Sequence, residues 1–234
     1  MFQMKNKVRY SEVDKDGVLT WPALLNYFQD CSVNHSESLD IGLDYLKERN
    51  LAWVLSSWQI RMDEIPKFGD DIVVGTWAYD FNMFYGYRNF VLDDANGKRK
   101  AVANSIWVLM DTKIRKPVLD QPEVLEAYTL EPKLDFGTKQ RKIKEPKEYV
   151  EKEPVKVLSF FIDTNGHMNN EKYVFLAIDV LPKDFKFNEL KVEYRREAML
   201  NDIMYPRLTL EQDKATVAFV DEKGKAYAVL EFKS

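Results

Sequence analysis

The apolar positions of this chain change period in the same order in each half. Leu24, Phe28, Cys31, His35 and Leu39 recur at three- and four-residue steps and predict a helix with one apolar face. Thr20 stands where it can cap that helix, and Pro22 suits its first turn. Ahead of it lie a strand-like run, Lys7 to Val13, and the turn "DKDG", Asp14 to Gly17. Behind it come four strand-like segments: Leu51 to Met62, Ile72 to Phe81, Phe84 to Leu92 and Lys100 to Met110. Asn96-Gly97 between the last two is a hairpin signal.

The second half repeats this order. A run from Val155 to Phe161 leads into the turn "DTNG" and a helix over Asn170 to Val180, with Asn169 as its cap. The strand-like segments Lys191 to Arg196, Ile203 to Glu211, Ala215 to Val220 and Ala226 to Phe232 follow. Asp163 pairs with Asp14 at an offset of 149 residues (163 − 14), which also pairs Gly166 with Gly17 and His167 with Val18. Further on, "IRMDEIPKFGD" aligns with "VEYRREAMLND" at an offset of 132 (192 − 60), setting Ile65 opposite Glu197. Between the halves, residues 131–154 are charged, proline-punctuated and without apolar period, and read as a linker. The expected organisation is a repeat over 1–130, the linker 131–154 and a second repeat over 155–234. One helix on one face of a mostly antiparallel sheet in each half makes the fold class α+β.

Composition narrows the function. With 45% hydrophobic and 31% charged residues the chain has the balance of a soluble globular protein. A net charge of −4 argues against general nucleic-acid binding, which needs a basic footprint. No apolar run approaches the roughly 20 residues of a membrane span, and the start of the chain lacks a signal-like apolar region. The single cysteine, Cys31, excludes an internal disulfide and suits a reducing compartment. The expected location is cytoplasmic. Two histidines, far apart, and a single cysteine give no zinc site, and no phosphate loop or G-x-S-x-G elbow is present. No metal or cofactor is expected.

What remains is the turn "DTNGHMNN". It puts a carboxylate (Asp163), an amide (Asn165) and an imidazole (His167) beside a helix N-terminus, whose free N–H groups favour an anion. That set can supply a base, a positioning group and a proton handler. Asp, Asn and Gly are also the residues that any tight turn prefers, and His167 is what distinguishes this copy from the first. His35, on the apolar stripe, reads as a core histidine. Trp53, Trp58, Trp77 and Trp107 read mostly as core.

"DTNGHMNNEKYVFLAIDVLP" followed by "LKVEYRREAMLND" resembles the acyl-acyl-carrier-protein (acyl-ACP) thioesterases, with their D-x-N-x-H-x-N-N-x-x-Y motif and a strand carrying Y-R-R-E. "LLNYFQDCSVNHSESL", "IPKFGDDIVVGTW" and "SIWVLMDTKIRKP" extend the likeness over nearly the whole chain. The resemblance implies two tandem hotdog folds, each a long helix wrapped by an antiparallel sheet. It implies Asp163, Asn165, His167 and Glu197 as catalytic residues, and an acyl pocket in the first half near Leu24, Phe28 and Cys31. Ala198 stands where plant members often carry Cys, which favours carboxylate-activated water over a cysteine nucleophile. The implied activity is hydrolysis of fatty acyl-ACP, with acyl-ACP as the partner. An acyl-CoA thioesterase and a non-catalytic acyl-binding protein are the alternatives. Whether Asp163 or Glu197 is the base stays open, as does the oligomeric state, a homodimer included.

Overall fold

A computed structural model describes residues 1–119 and 121–234. The chain forms two compact units, one of Met1–Ser56 with Ile60–Lys139, the other of Ser57–Gln59 with Gln140–Ser234.

In the first unit the strands are β1 (Phe2–Lys7), β2 (Leu51–Met62), β3 (Asp71–Asn82), β4 (Tyr85–Asp94), β5 (Arg99–Asp111) and the short β6 (Lys116–Pro117). The sheet order is β1-β3-β4-β5-β2, with β6 paired to β5. The helices are α1 (Trp21–Glu37) and the shorter α2 (Leu43–Glu48) and α3 (Pro122–Glu126). Thr20 caps α1 by accepting the Ala23 N–H at 3.3 Å, and Pro22 sits in the first turn. Its apolar face lies on the sheet, where Phe28 packs against Phe90 with ring centroids 5.3 Å apart.

In the second unit the order is β9 (Glu189–Tyr194), β12 (Ala226–Lys233), β11 (Lys214–Val220), β10 (Ile203–Leu210) and β7 (Val150–Glu151). The two-residue β8 (Val155–Lys156) also pairs with β10. Helix α4 (Asn170–Val180) packs against β10 and β12. Its Tyr173 meets Phe219 edge-on.

Both sheets are covered on their second face as well, and β4 and β11 are buried along nearly their whole length. The covering chain is the stretch 131–154. In the first unit Leu134 and Phe136 pack over Trp77, Val91 and Val102. Fully buried Asn89 accepts the Leu134 N–H at 3.0 Å, and Asn104 donates to the Thr138 carbonyl at 3.1 Å. In the second unit Ile143 joins Ala218, Val220, Ala226 and Val229. Glu193 accepts the Ile143 N–H at 2.8 Å, and Arg195 donates to the Ile143 carbonyl at 2.7 Å. The segment is therefore strapped to its sheets by a few apolar anchors and buried polar side chains, rather than being a free solvated linker.

Two expected strands shift. Lys7 ends β1 instead of beginning a strand, and Tyr10–Glu12 forms a 3-10 turn. Likewise Ser159–Phe161 is a 3-10 turn after the short β8. Both turns lead the chain from a sheet edge to the polar loop before its helix.

Candidate active site

The polar loop of the second unit is built by Asp163. Its Oδ1 accepts the N–H groups of Asn165 at 2.8 Å and of His167 at 3.4 Å. Its carbonyl accepts from Gly166 at 3.0 Å, and Asp163 N–H donates to the His167 carbonyl at 2.8 Å. Gly166 closes the turn at φ 81°, a conformation that side chains avoid. Asn169 then caps α4 by accepting the Glu171 N–H at 3.2 Å.

Three other D-x-x-G turns in the chain repeat this arrangement. Asp14 Oδ1 takes the N–H groups of Asp16 and Val18, at 2.9 and 3.2 Å. In the same way Asp94 takes those of Asn96 and Lys98, and Asp221 those of Lys223 and Lys225. None of those three turns carries a histidine. The Asp163 carboxylate is thus occupied in shaping the loop, as its counterparts are where the loop carries no imidazole.

Glu197 lies three residues past the end of β9 at Tyr194, whereas the strand read from sequence runs on to Arg196. There its Oε2 is 3.2 Å from His167 Nε2. The side chains are 26% and 38% exposed, so water reaches the pair. Arg195 and Arg196, the neighbours of Glu197, are engaged elsewhere. Arg195 pairs with Glu145 and Glu193; Arg196 pairs with Asp221 at 2.8 Å and lies over the Tyr227 ring. The Asn165 side-chain amide points to Asp163, at a long 3.5 Å. So the structure brings His167 and Glu197 into contact, while Asp163 and Asn165 form the loop that presents His167.

The loop after Glu197 has supports that sequence reading passes over. Asp202 accepts the Met199 N–H at 2.9 Å and the Tyr227 hydroxyl at 3.2 Å. The signal for Asp202 was present: it aligns with Asp70, whose carboxylate accepts the Lys67 N–H at 2.8 Å in the first unit.

Leu24, Phe28 and Cys31 are fully buried between α1 and its sheet. Burial pushes the Cys31 thiol up to about 12, so no thiolate forms there near neutral pH. Elsewhere in the first unit Trp53, Phe84, Leu109, Val118 and Leu125 line a narrow apolar crevice with no room for a water molecule. Among the described residues no group of side chains is arranged to hold a metal ion, and no helix is long and apolar enough to cross a membrane.

Residues 1–128 match the acyl-ACP thioesterase N-terminal domain, and residues 144–228 match the C-terminal domain. The chain belongs to the acyl-ACP thioesterase family. Among relatives of this family, a chloroplastic acyl-[acyl-carrier-protein] hydrolase of Cuphea viscosissima is 24% identical over 97% of this chain and 57% of its own length. The chloroplastic oleoyl-acyl carrier protein thioesterase 1 of Arabidopsis thaliana is 25% identical over 87% of this chain and 62% of its own. The chain thus spans about three-fifths of these acyl-ACP thioesterase relatives. The crystal structure of an acyl-ACP thioesterase from Bacteroides thetaiotaomicron superposes with a TM-score of 0.90 at 22% identity, over 99% of this chain and 96% of that one. That likeness establishes the family's fold for this chain.

Proposed function

We propose that this chain hydrolyses fatty acyl-ACP to a free fatty acid and the carrier thiol. The observation that carries the reading is the 3.2 Å contact between His167 and Glu197 in a member of this family. Glu197 is the base: it takes a proton from a water, whose oxygen adds to the thioester carbonyl. N–H groups at the start of α4 face the developing oxyanion. His167 shares the proton with Glu197 and returns it to the leaving sulfur as the carbon–sulfur bond breaks. A thiol with a pKa of about 8.5 leaves readily, so the site needs a base and an oxyanion hole more than a strong acid. Asp163 and Asn165 hold the loop. The first unit, which has Val18 and Ile65 in place of the proton-handling residues, is the acyl receptor in this reading, with Leu24, Phe28 and Cys31 in its apolar interior.

Matched acyl-ACP and acyl-CoA thioesters across chain lengths, followed by thiol release, test the reaction and its carrier. The expected result is hydrolysis with preference for the carrier-protein thioester. His167→Ala and Glu197→Gln are each expected to lower kcat by about 100-fold or more, the range of a positioned acid–base group. Preference for the CoA thioesters makes CoA the carrier. No hydrolysis of any thioester, or either variant at wild-type rate, sinks the assignment.

A further inference from the structure

The two units share one backbone frame around their polar loops, and among the supports that differ between them one lies directly beside Glu197. Leu19 N–H donates to the Pro66 carbonyl at 2.8 Å, as Met168 N–H donates to the Ala198 carbonyl at 2.9 Å. Val8 N–H reaches the Asp70 carbonyl as Val157 N–H reaches that of Asp202. Every pair keeps the offsets of 149 (168 − 19) and 132 (198 − 66) residues. In the second unit the peptide that follows Glu197 has a further bond: Ala198 N–H donates to the Tyr173 hydroxyl oxygen at 3.1 Å. The first unit has no counterpart. Pro66 stands at the position of Ala198 and has no N–H; Leu24 stands at that of Tyr173 and has no oxygen. The bond therefore occurs in the copy that carries His167 and Glu197.

Its surroundings give it a fixed geometry. Tyr173 is 2% exposed, with its ring edge-on to Tyr194 and Phe219. Ala198 is 0% exposed, so water cannot substitute for the phenol oxygen. Burial pushes the Tyr173 ionisation upward, and the hydroxyl stays neutral. On the other side of Glu197, Arg195 and Arg196 N–H groups both donate to the Tyr227 carbonyl, at 2.8 and 3.1 Å. Glu197 is thus suspended between two anchored peptides.

We infer that Tyr173 is a positioning residue for Glu197: its phenol oxygen fixes the Glu197–Ala198 peptide and so aims the carboxylate at His167. This rests on His167 and Glu197 acting as the hydrolytic pair. Tyr173→Phe keeps the ring and removes the acceptor. Ala198→Pro removes the donor and reproduces the residue that the first unit's frame already accommodates. Each is expected to lower kcat about 10- to 100-fold while KM for acyl-ACP stays within about twofold. In a Glu197→Gln background neither is expected to lower kcat further, because the carboxylate it aims is gone. A structural support without a role at Glu197 gives the same fold-loss in both backgrounds, and that result overturns the inference. So does wild-type kcat in Tyr173→Phe. Should Tyr173→Phe fail to fold, Ala198→Pro carries the same cycle. A fully active Glu197→Gln single variant instead removes the hydrolytic reading itself, whatever Tyr173→Phe does.

Discussion

His35 is a half-buried imidazole whose nearest polar neighbour is a cation. Its Nδ1 lies 2.8 Å from Arg88 Nη1, so it accepts and the ring is neutral. Phe2 stacks on one face, and Tyr128 meets the ring edge-on. Burial first, then Arg88, then the N-terminal ammonium hold its pKa down to about 4. An unfolded histidine takes up its proton near pH 6.5, so between about 6.5 and 4 the unfolded chain binds more protons than the folded one. Stability from this residue is therefore full above pH 6.5 and is lost as the pH falls towards 4. His35→Asn keeps an oxygen acceptor for Arg88 and cannot titrate. Thermal melts between pH 7 and 4 should show a shallower acid decline for this variant than for wild type, with turnover little changed. An identical slope would mean that His35 does not carry the dependence. The D-x-x-G turns give a second residue-scale expectation. Asp14→Ala and Asp163→Ala should each lower Tm by about 2–4 °C, the effect of losing ~1 kcal/mol in a chain of this size. Only Asp163→Ala should also lower turnover, because only its loop presents a histidine. Equal effects on turnover would mean that Asp14 takes part in the chemistry. The sequence carried much of this site. His167 stood out as one of two histidines, and Asp163 was recognisable as a turn residue. The contact of Glu197 with His167 was not legible from spacing alone, because the two meet through folding rather than through any helical or strand period.

At the scale of elements, the helix caps and hairpin turns were readable because their signals are local: Thr20, Asn169, Asn96-Gly97. The long strands of the sheets followed from dense β-branched and aromatic runs. What sequence reading misplaced were elements defined by their partners. β1 alternates only weakly in apolarity and owes its pairing to β3, from Phe2 opposite Thr76 to Lys7 opposite Asp71. The stretch 131–154 is polar in bulk, and its few anchors carry no period. Ile143 illustrates why those anchors matter. It is 6% exposed among five side chains of the sheet's outer face, and its backbone is held by Glu193 and Arg195. Ile143→Ala should cost about 2–5 kcal/mol by chemical denaturation, the range for truncating a buried aliphatic side chain. A loss under half a kcal/mol would return the segment to the status of a linker.

For the whole molecule, the repeat predicts a count. Both units build the same turn frame, but only the second fills it with His167, Glu197 and Tyr173. On the proposed reading, one hydrolytic site per chain is expected. A non-hydrolysable acyl thioether analogue, titrated by calorimetry, should saturate at about one equivalent per chain. Two equivalents, or turnover that survives loss of His167 and disappears with Asp14, would reassign the roles of the units.

The position of Leu24 also decides whether a second centre could be engineered into the first unit. Val18→His and Ile65→Glu would supply the two reacting groups, and Pro66→Ala would restore the amide. Leu24→Tyr, the remaining change, has no room: that side chain is 0% exposed, between a helix and a sheet already packed around it. A larger ring there would strain the core by about 1–3 kcal/mol. The helix of the first unit has closed over the place where the support would stand. Retrofitting the loop alone yields a histidine and a glutamate with nothing to aim them.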